Sequence, residues 1–358
     1  MKLGRHSLTF YRLPYRKEVR WSNAVEREGT YVLLELESAD GVRGIAEGTV
    51  KDTWQGVSPR SLAAAMEDLV VPRLEKADLA EPVSVSSAFA KLPENRLAKA
   101  LVDNACWTMR AAAQGQPLWK RWGRSPRVDL SWTVTRDAPA AMAAEAAEVC
   151  SRHGIRALKV KGGQGVEVDR LALREIRAAV GADVELFVDA NGAYARDEAL
   201  AYVRMLAAEG VTLAEDPSPL SPDGAFEALQ RESPLPILVD SSCSSLADAR
   251  LYLERGAQAL STKPGRVGLT ETRAIEALAT SRGARTTVGI YAESLLGTLV
   301  SLQQSGAIPA EQTFFLTLTE QVAAVDLPIR DGAVTLPDAP DMAALVDRKA
   351  LKRFAFLP

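Results

Sequence analysis

The chain has 358 residues, 47% of them hydrophobic, and a formal net charge of −3. That length supplies a large core and suits two domains, or a barrel with an addition. No basic stripe marks a nucleic-acid partner, no apolar run reaches the roughly 18 residues of a membrane span, and the opening MKLGRHSLTFYRLPYRK lacks the apolar stretch of a secretory leader.

Cys106, Cys150 and Cys243 are odd in number, scattered and without CxxC spacing. They argue against a disulfide framework or a thiolate metal site and fit a reducing cytoplasm. His6 and His153 are the only histidines, so an imidazole metal site or general base is hard to build. His153, just before a strand, reads as a cap or surface residue.

Residues 1–125 read as an α+β unit. HSLTFYRLPY is strand-like, and TYVLLELESADGVRGIAEG is a hairpin turning at ADG. SPRSLAAAMEDLVVPRLEKA and NRLAKALVDNACWTMRAAAQGQ are helical, the first with Ser58 as N-cap and Pro59 as its first helical residue.

From about residue 126 the pattern changes. Short apolar runs alternate with helical stretches: VDLSWTVT, IRALKVKG, VELFVDANG, VTLAEDPSP, LPILVDSS, AQALSTKPG, RTTVGIYAES and TFFLTLT. Alternation of this kind means βα units and a parallel sheet, and eight runs suggest a closed barrel over 126–328. The tail, 329–358, is not another βα unit and is expected to pack back on the first domain.

Charged residues fall at the C-terminal ends of successive runs. In ALKVKGG, Leu158 and Val160 share one strand face, and Lys159 and Lys161 share the other. Asp189 ends the third run, Glu215 the fourth, Asp240 the fifth and Lys263 the sixth. In a (β/α)8 barrel these ends form the mouth where active sites lie. Three carboxylates in one cavity cannot all stay ionised without a cation. An all-oxygen ligand set suits Mg²⁺ or Mn²⁺. Lys161 and Lys263 would flank the ion, and Lys159 would add a positive charge that favours the neutral amine a general base needs. The chemistry expected is removal of a proton next to a carboxylate, with the enediolate held by the metal. Taken singly, a KxK, a DANG or an EDP is usually a solvated strand end or a turn. Their recurrence in successive units is what carries the signal. Asn191 either orients a ligand or caps the next helix.

LKVKGG, LFVDANGAY, LAEDPSP, ILVDSS and STKPGRVG resemble the enolase superfamily, in its muconate lactonizing enzyme branch, over nearly the whole chain. The resemblance implies a modified (β/α)7β barrel with an N-terminal α+β capping domain completed by the C-terminal tail. It also implies Mg²⁺ on Asp189, Glu215 and Asp240, with Lys161 and Lys263 as acid/base catalysts on opposite faces of a small carboxylate substrate. A homo-oligomer is expected. Among the branch's activities a muconate cycloisomerase is favoured, with N-acylamino acid racemase and o-succinylbenzoate synthase as alternatives. Glu293 matches a glutamate near the substrate in muconate lactonizing enzymes, or else caps the helix near Ser294. Thr317 and Thr319 stand where dipeptide epimerases carry a DxD, which counts against a dipeptide. ILVDSS lacks the common acidic residue after the third ligand.

The resemblance places specificity in two capping loops, YRKEVRWSNAVER and GTVKDTWQGVS. Their Trp21 and Trp54 either cover the barrel mouth and exclude water or pack at the domain interface. Two rivals remain. A Schiff-base aldolase would use Lys263 as nucleophile but leaves the carboxylates unexplained. A non-catalytic binding barrel would tolerate loss of one of these residues, yet every position is filled.

Overall fold

The computed structural model describes residues 1–21 and 24–358. The first sheet is an antiparallel meander of β1 (Leu3–Arg20), β2 (Val25–Ser38) and β3 (Arg43–Thr49). β2 reads as an unbroken apolar run because both of its faces are buried. Tyr31 and Leu33 join the barrel core, while Val32, Leu34 and Leu36 join a separate core under the capping helices.

Helix α1 begins at Pro59–Ala65 and continues through a π turn, Met66–Val70, into Val71–Leu74. Ser58 caps it as expected, its hydroxyl accepting from Ser61 N while Ser61 Oγ accepts from Ser58 N. Helix α2 (Arg96–Gln114) lies against β3. A Cβ on Gly44 would come within 2.1 Å of Ala105 O, so glycine is what lets helix and strand meet.

After β4 (Arg127–Asp129), seven parallel strands follow in sequence order: β5 (Trp132–Val134), β6 (Ala157–Lys161), β7 (Glu185–Asp189), β8 (Leu213–Glu215), β9 (Ile237–Val239), β10 (Ala259–Thr262) and β11 (Arg285–Val288). Helices α3 (Pro139–His153), α4 (Val166–Val180), α5 (Ala199–Ala208), α6 (Gly224–Glu232) and α7 (Leu246–Glu254) alternate with β5 to β10. After β10 come α8 (Pro264–Val267) and α9 (Leu269–Ser281), and after β11 comes α10 (Leu295–Ser301). This is the modified α/β barrel expected.

The eighth barrel position is not TFFLTLT. Phe314–Thr317 is a 3-10 turn. Closure comes six residues earlier, from irregular chain at 308–311. Ile308 N donates to Thr286 O at 3.0 Å and Glu311 N to Val288 O at 2.9 Å. On the other side Ala310 N donates to Asp129 O, and Ser131 N to Ala310 O, each at 2.9 Å. Pro309 offers no ladder donor, which keeps this segment from being a regular strand. The apolar run beyond it serves the domain interface instead: the Phe314 ring meets Tyr15 of β1 edge-on at 5.6 Å.

The tail divides. β12 (Ala333–Thr335) pairs with β4 of the barrel, and β13 (Ala355–Phe356) pairs with β1, completing the capping sheet.

Candidate active site

Period-two alternation builds the barrel interior in layers. Phe187, Leu213, Leu238 and Ala259, with Ile308 from the closing segment, form a small apolar cluster of their own. Two residues beyond the first three stand Asp189, Glu215 and Asp240, all buried. Adjacent strands hold them side by side: Lys161 pairs in register with Asp189, and Asp189 with Glu215.

Lys159 lies one layer deeper, opposite Phe187, and is 1% exposed. Its Nζ is 2.7 Å from the Glu215 carboxylate, 2.8 Å from Glu311 and 3.2 Å from Asp189. Burial alone would neutralise it, but Glu215, Glu311 and Asp189 hold its ammonium well above the ordinary lysine range. Lys161 Nζ donates to Asp189 Oδ2 at 2.6 Å, its side chain 22% exposed toward the mouth. On the far side Lys263 Nζ donates to Asp240 Oδ2 at 2.6 Å.

The carboxylates divide accordingly. Burial pushes Asp189 upward, but Lys161 and Lys159 outweigh it and hold the carboxyl well below the usual range. Burial is likewise outweighed at Asp240, by Lys263 and Arg266. Glu215 is pushed up by burial and by the charge on Asp189, with Lys159 only partly offsetting this.

The donor set suits a hard divalent cation. It is all carboxylate, and Asp240 Oδ1 is buried without a hydrogen-bond donor. Among the described residues no three acidic, imidazole or thiol groups are already drawn into a metal-ligating arrangement. One oxygen of each carboxylate accepts from a lysine: Glu215 from Lys159, Asp189 from Lys161 and Asp240 from Lys263.

Asn191 does not cap a helix, since α5 starts only at Ala199. It adopts a left-handed backbone (φ 50°), donates from Nδ2 to Asp189 Oδ2 at 3.0 Å, and accepts from Lys161 and Arg136. Gly163 (φ 81°) turns the chain after Lys161, where a Cβ would come within 2.7 Å of Ala193. Asp169 holds that turn by accepting from Gly163 N, Gln164 N and the Tyr194 and Tyr202 hydroxyls.

A cavity of about 1590 Å³ opens over this cluster, lined by Lys161, Asn191 and Lys263 from the barrel and by Trp21 and Trp54 from the cap. Both capping loops contribute to its wall; Ser22 and Asn23 of the first lie outside the described residues. The two tryptophans stand at the mouth and in an aromatic cluster at once. They line the cavity, and they pack edge-on to each other at 5.0 Å, with Phe314 5.3 Å from Trp21 and Tyr291 5.3 Å from Trp54. Lys51, paired with Glu26 at 2.6 Å, lies 3.9 Å from the Trp21 ring centre and 4.7 Å from that of Trp54.

Glu293 is not on the cavity wall. It is buried, accepts from Tyr291 N at 2.7 Å, and faces Gln312 and Ser301. Burial pushes its carboxyl up to about 7. Nor does its side chain cap α10. Thr317 lines the cavity, while Thr319 donates to Pro14 O of the capping sheet. His153 ends α3 and stacks on Trp132.

Three site residues escaped the sequence reading. Glu311 lies just before TFFLTLT, in the 308–311 segment around Pro309 that closes the barrel without a strand-like pattern. Asp216 was visible in EDP; it is buried, accepts from Asp240 N and Ser241 N, and is pushed up to about 6 by burial and the charges of Asp240 and Asp189. Arg266 was visible in KPGRVG; it donates to Asp240 O and Cys243 O.

Fold and site together define a capped-barrel enzyme whose lysines flank a carboxylate cluster at the strand ends. Residues 9–123 match the mandelate racemase / muconate lactonizing enzyme N-terminal domain, and 141–350 match the enolase C-terminal domain-like family. The chain is 27% identical to an o-succinylbenzoate synthase of Geobacillus kaustophilus, over 90% of this chain and 88% of that one. It is 26% identical to the chloromuconate cycloisomerase CbnB of Cupriavidus necator, over 99% of both. A muconate lactonizing enzyme from Mucobacterium Smegmatis, solved with muconolactone, superposes with a TM-score of 0.93 at 25% identity, covering 100% of both chains. The chain belongs to the enolase superfamily, in its muconate lactonizing enzyme branch.

Proposed function

We propose that the protein is an enolate-forming isomerase of the muconate cycloisomerase type. The observation that carries this is the placement of Lys161 on the Asp189 side of the carboxylate cluster and Lys263 on the Asp240 side. A planar enolate seated between them meets an ammonium or amine on each face. Asp189, Glu215 and Asp240 would hold Mg²⁺ or Mn²⁺, which supplies positive charge for the substrate carboxylate and its enolate.

In the lactonising direction one carboxylate oxygen adds across a conjugated double bond, and a lysine ammonium delivers the proton to the α-carbon. No atom is gained or lost. In reverse the neutral lysine removes that α-proton and the carbon–oxygen bond breaks. Lys159 pairs with Glu215 and Glu311 beneath the site and stands beside Lys161 as a second positive charge. Trp21 and Trp54 exclude water above. The buried carboxylate cluster of Asp189, Glu215 and Asp240, for which a Schiff-base aldolase has no use, weighs against Lys263 as a nucleophile. A cytoplasmic location and a homo-oligomeric assembly belong to the same reading; the free cysteines support the first.

One observation favours a second member of the branch. Glu293, which pointed to a cycloisomerase, turns away from the cavity. An o-succinylbenzoate synthase-type dehydratase or an N-acylamino acid racemase uses the same two lysines without it. The test is turnover of cis,cis-muconate with Mg²⁺ in D₂O, followed by NMR. A lactone carrying one deuterium at a single α-position is expected. No lactone, with exchange of the α-proton of N-acylamino acids instead, would assign the chain to the racemases.

A further inference from the structure

The turn that follows Lys263 is held from outside the barrel. Lys263 is the N-cap residue of α8 and Gly268 that of α9, and neither caps its helix with its own side chain. The partners come from α2 of the capping domain, which presents Asp103, Asn104 and Trp107 on one face. Asn104 is buried; its Nδ2 donates to Pro264 O at 2.9 Å and its Oδ1 accepts from Leu269 N at 2.8 Å. One amide therefore ties both ends of the turn. Asp103 accepts from Thr270 N at 2.8 Å and from the Thr270 hydroxyl, and Trp107 Nε1 donates to Thr270 Oγ1 at 2.8 Å. Gly268 (φ 83°) lies so close that a Cβ there would be 2.7 Å from Asp103 Oδ2.

The next unit repeats the arrangement. α10 has no side-chain cap of its own, and Glu47 of β3 accepts from Ser294 N at 2.8 Å and from the Ser294 hydroxyl. α9 and α10, the helices on either side of β11, thus take their N-terminal acceptors from the other domain.

We propose that Asn104 is a positioning residue for Lys263. Its amide fixes the turn of which Lys263 is the first residue, so the capping domain sets the direction from which the ammonium reaches the substrate. Only a side chain that both donates and accepts can bridge Pro264 O and Leu269 N. Aspartate would keep the second bond and lose the first. The inference rests on the reading of Lys263 as an acid/base group, and it goes beyond the use of the cap as a cover for the mouth.

The test compares Asn104→Ala with Thr108→Val in the full chain with Mg²⁺ and cis,cis-muconate. Thr108 lies one turn further along α2 and bonds to Ile45 within the capping domain, so its loss loosens the cap without touching the 264–270 turn. Asn104→Ala is expected to lower kcat ten- to a hundredfold with KM within twofold, and to speed amide hydrogen exchange in 264–270 at least tenfold. Thr108→Val is expected to leave kcat and that exchange within twofold of the parent. Asn104→Ser, which keeps a shorter donor and acceptor, carries the same expectation in milder form should the alanine variant fail to fold. Unchanged exchange in 264–270, or an equal kcat loss in Thr108→Val, would overturn the inference. Should the parent protein not turn over muconate, the proposed function falls, and exchange in 264–270 alone decides this one.

Discussion

Lys159 and Lys161 share one oxygen: both ammonium groups reach Asp189 Oδ2, at 3.2 and 2.6 Å. Two like charges two residues apart on a strand are held together by the carboxylate of the neighbouring strand. Their surroundings then separate them. Both border the cavity, but Lys159 is 1% exposed and held among three carboxylates, whereas Lys161 is 22% exposed and meets only Asp189 among them. In the proposed mechanism the more exposed Lys161 carries the proton and Lys159 supplies charge.

Lys159→Met removes the cation that Glu215 and Glu311 share. Breaking a buried pair from one side costs roughly 3–5 kcal/mol, so a lower midpoint in denaturant is expected. The loss of a positive neighbour should also move the onset of activity to higher pH, with Mg²⁺ binding retained. An unchanged pH–rate profile would reduce Lys159 to a structural ion.

Asp240→Asn should weaken Mg²⁺ binding at least tenfold by calorimetry, since it removes a charge from an all-carboxylate set. The parent enzyme should lose activity in EDTA and regain it with Mg²⁺. Full turnover by metal-free protein would sink the metal assignment.

Lys161→Ala and Lys263→Ala separate the rival activities. A one-base cycloisomerase or dehydratase needs a single lysine for α-proton exchange in D₂O, the other serving as a cation beside the enolate. A two-base racemase loses interconversion in both variants, while each still exchanges one enantiomer. Full activity in both would remove the lysine assignment altogether.

Glu293 gives a pH-dependent stability. Its carboxyl titrates near 7 in the fold against an ordinary value of 4.5, with burial as the main cause. Between those values the folded chain binds more protons than the unfolded one, so this group's contribution declines as pH rises through that window. Glu293→Gln should flatten the decline and stabilise the protein at pH 8 by on the order of 3 kcal/mol. Urea melts at pH 4.5 and pH 8 read it; the same loss in parent and variant would refute it.

Trp54→Ala opens the mouth beside Tyr291. It should raise KM about tenfold, or ~1.4 kcal/mol, and change kcat less, because it removes covering surface and no reacting group. A variant with the parental KM would leave Trp54 with interface packing only.

Much of this site could be read in the sequence because a barrel strand is short and its inward residues recur every second position. Lys161, Asp189, Glu215, Asp240 and Lys263 each sit at or just past a strand end, where an apolar run gives way to charge. The same logic failed for Glu311. Barrel closure there uses irregular chain around Pro309, while the more strand-like TFFLTLT was apolar for the sake of Tyr15 and Trp21. Asn104 and Glu47 were illegible for another reason. Each bonds to a residue more than 150 positions away, and nothing local to α2 or β3 announces that partner.

Ala355 and Phe356 lie opposite Tyr11 and Phe10, so the outermost strand of the capping sheet is supplied by residues translated after the entire barrel. On a ribosome the hairpin of β1 and β2 can form early, but its free edge stays unpaired until the end of the chain emerges. Long-range closure of this kind slows folding and leaves an open strand edge in the meantime. Deleting residues 355–358 should therefore harm the yield of soluble protein more than the stability of what has already folded.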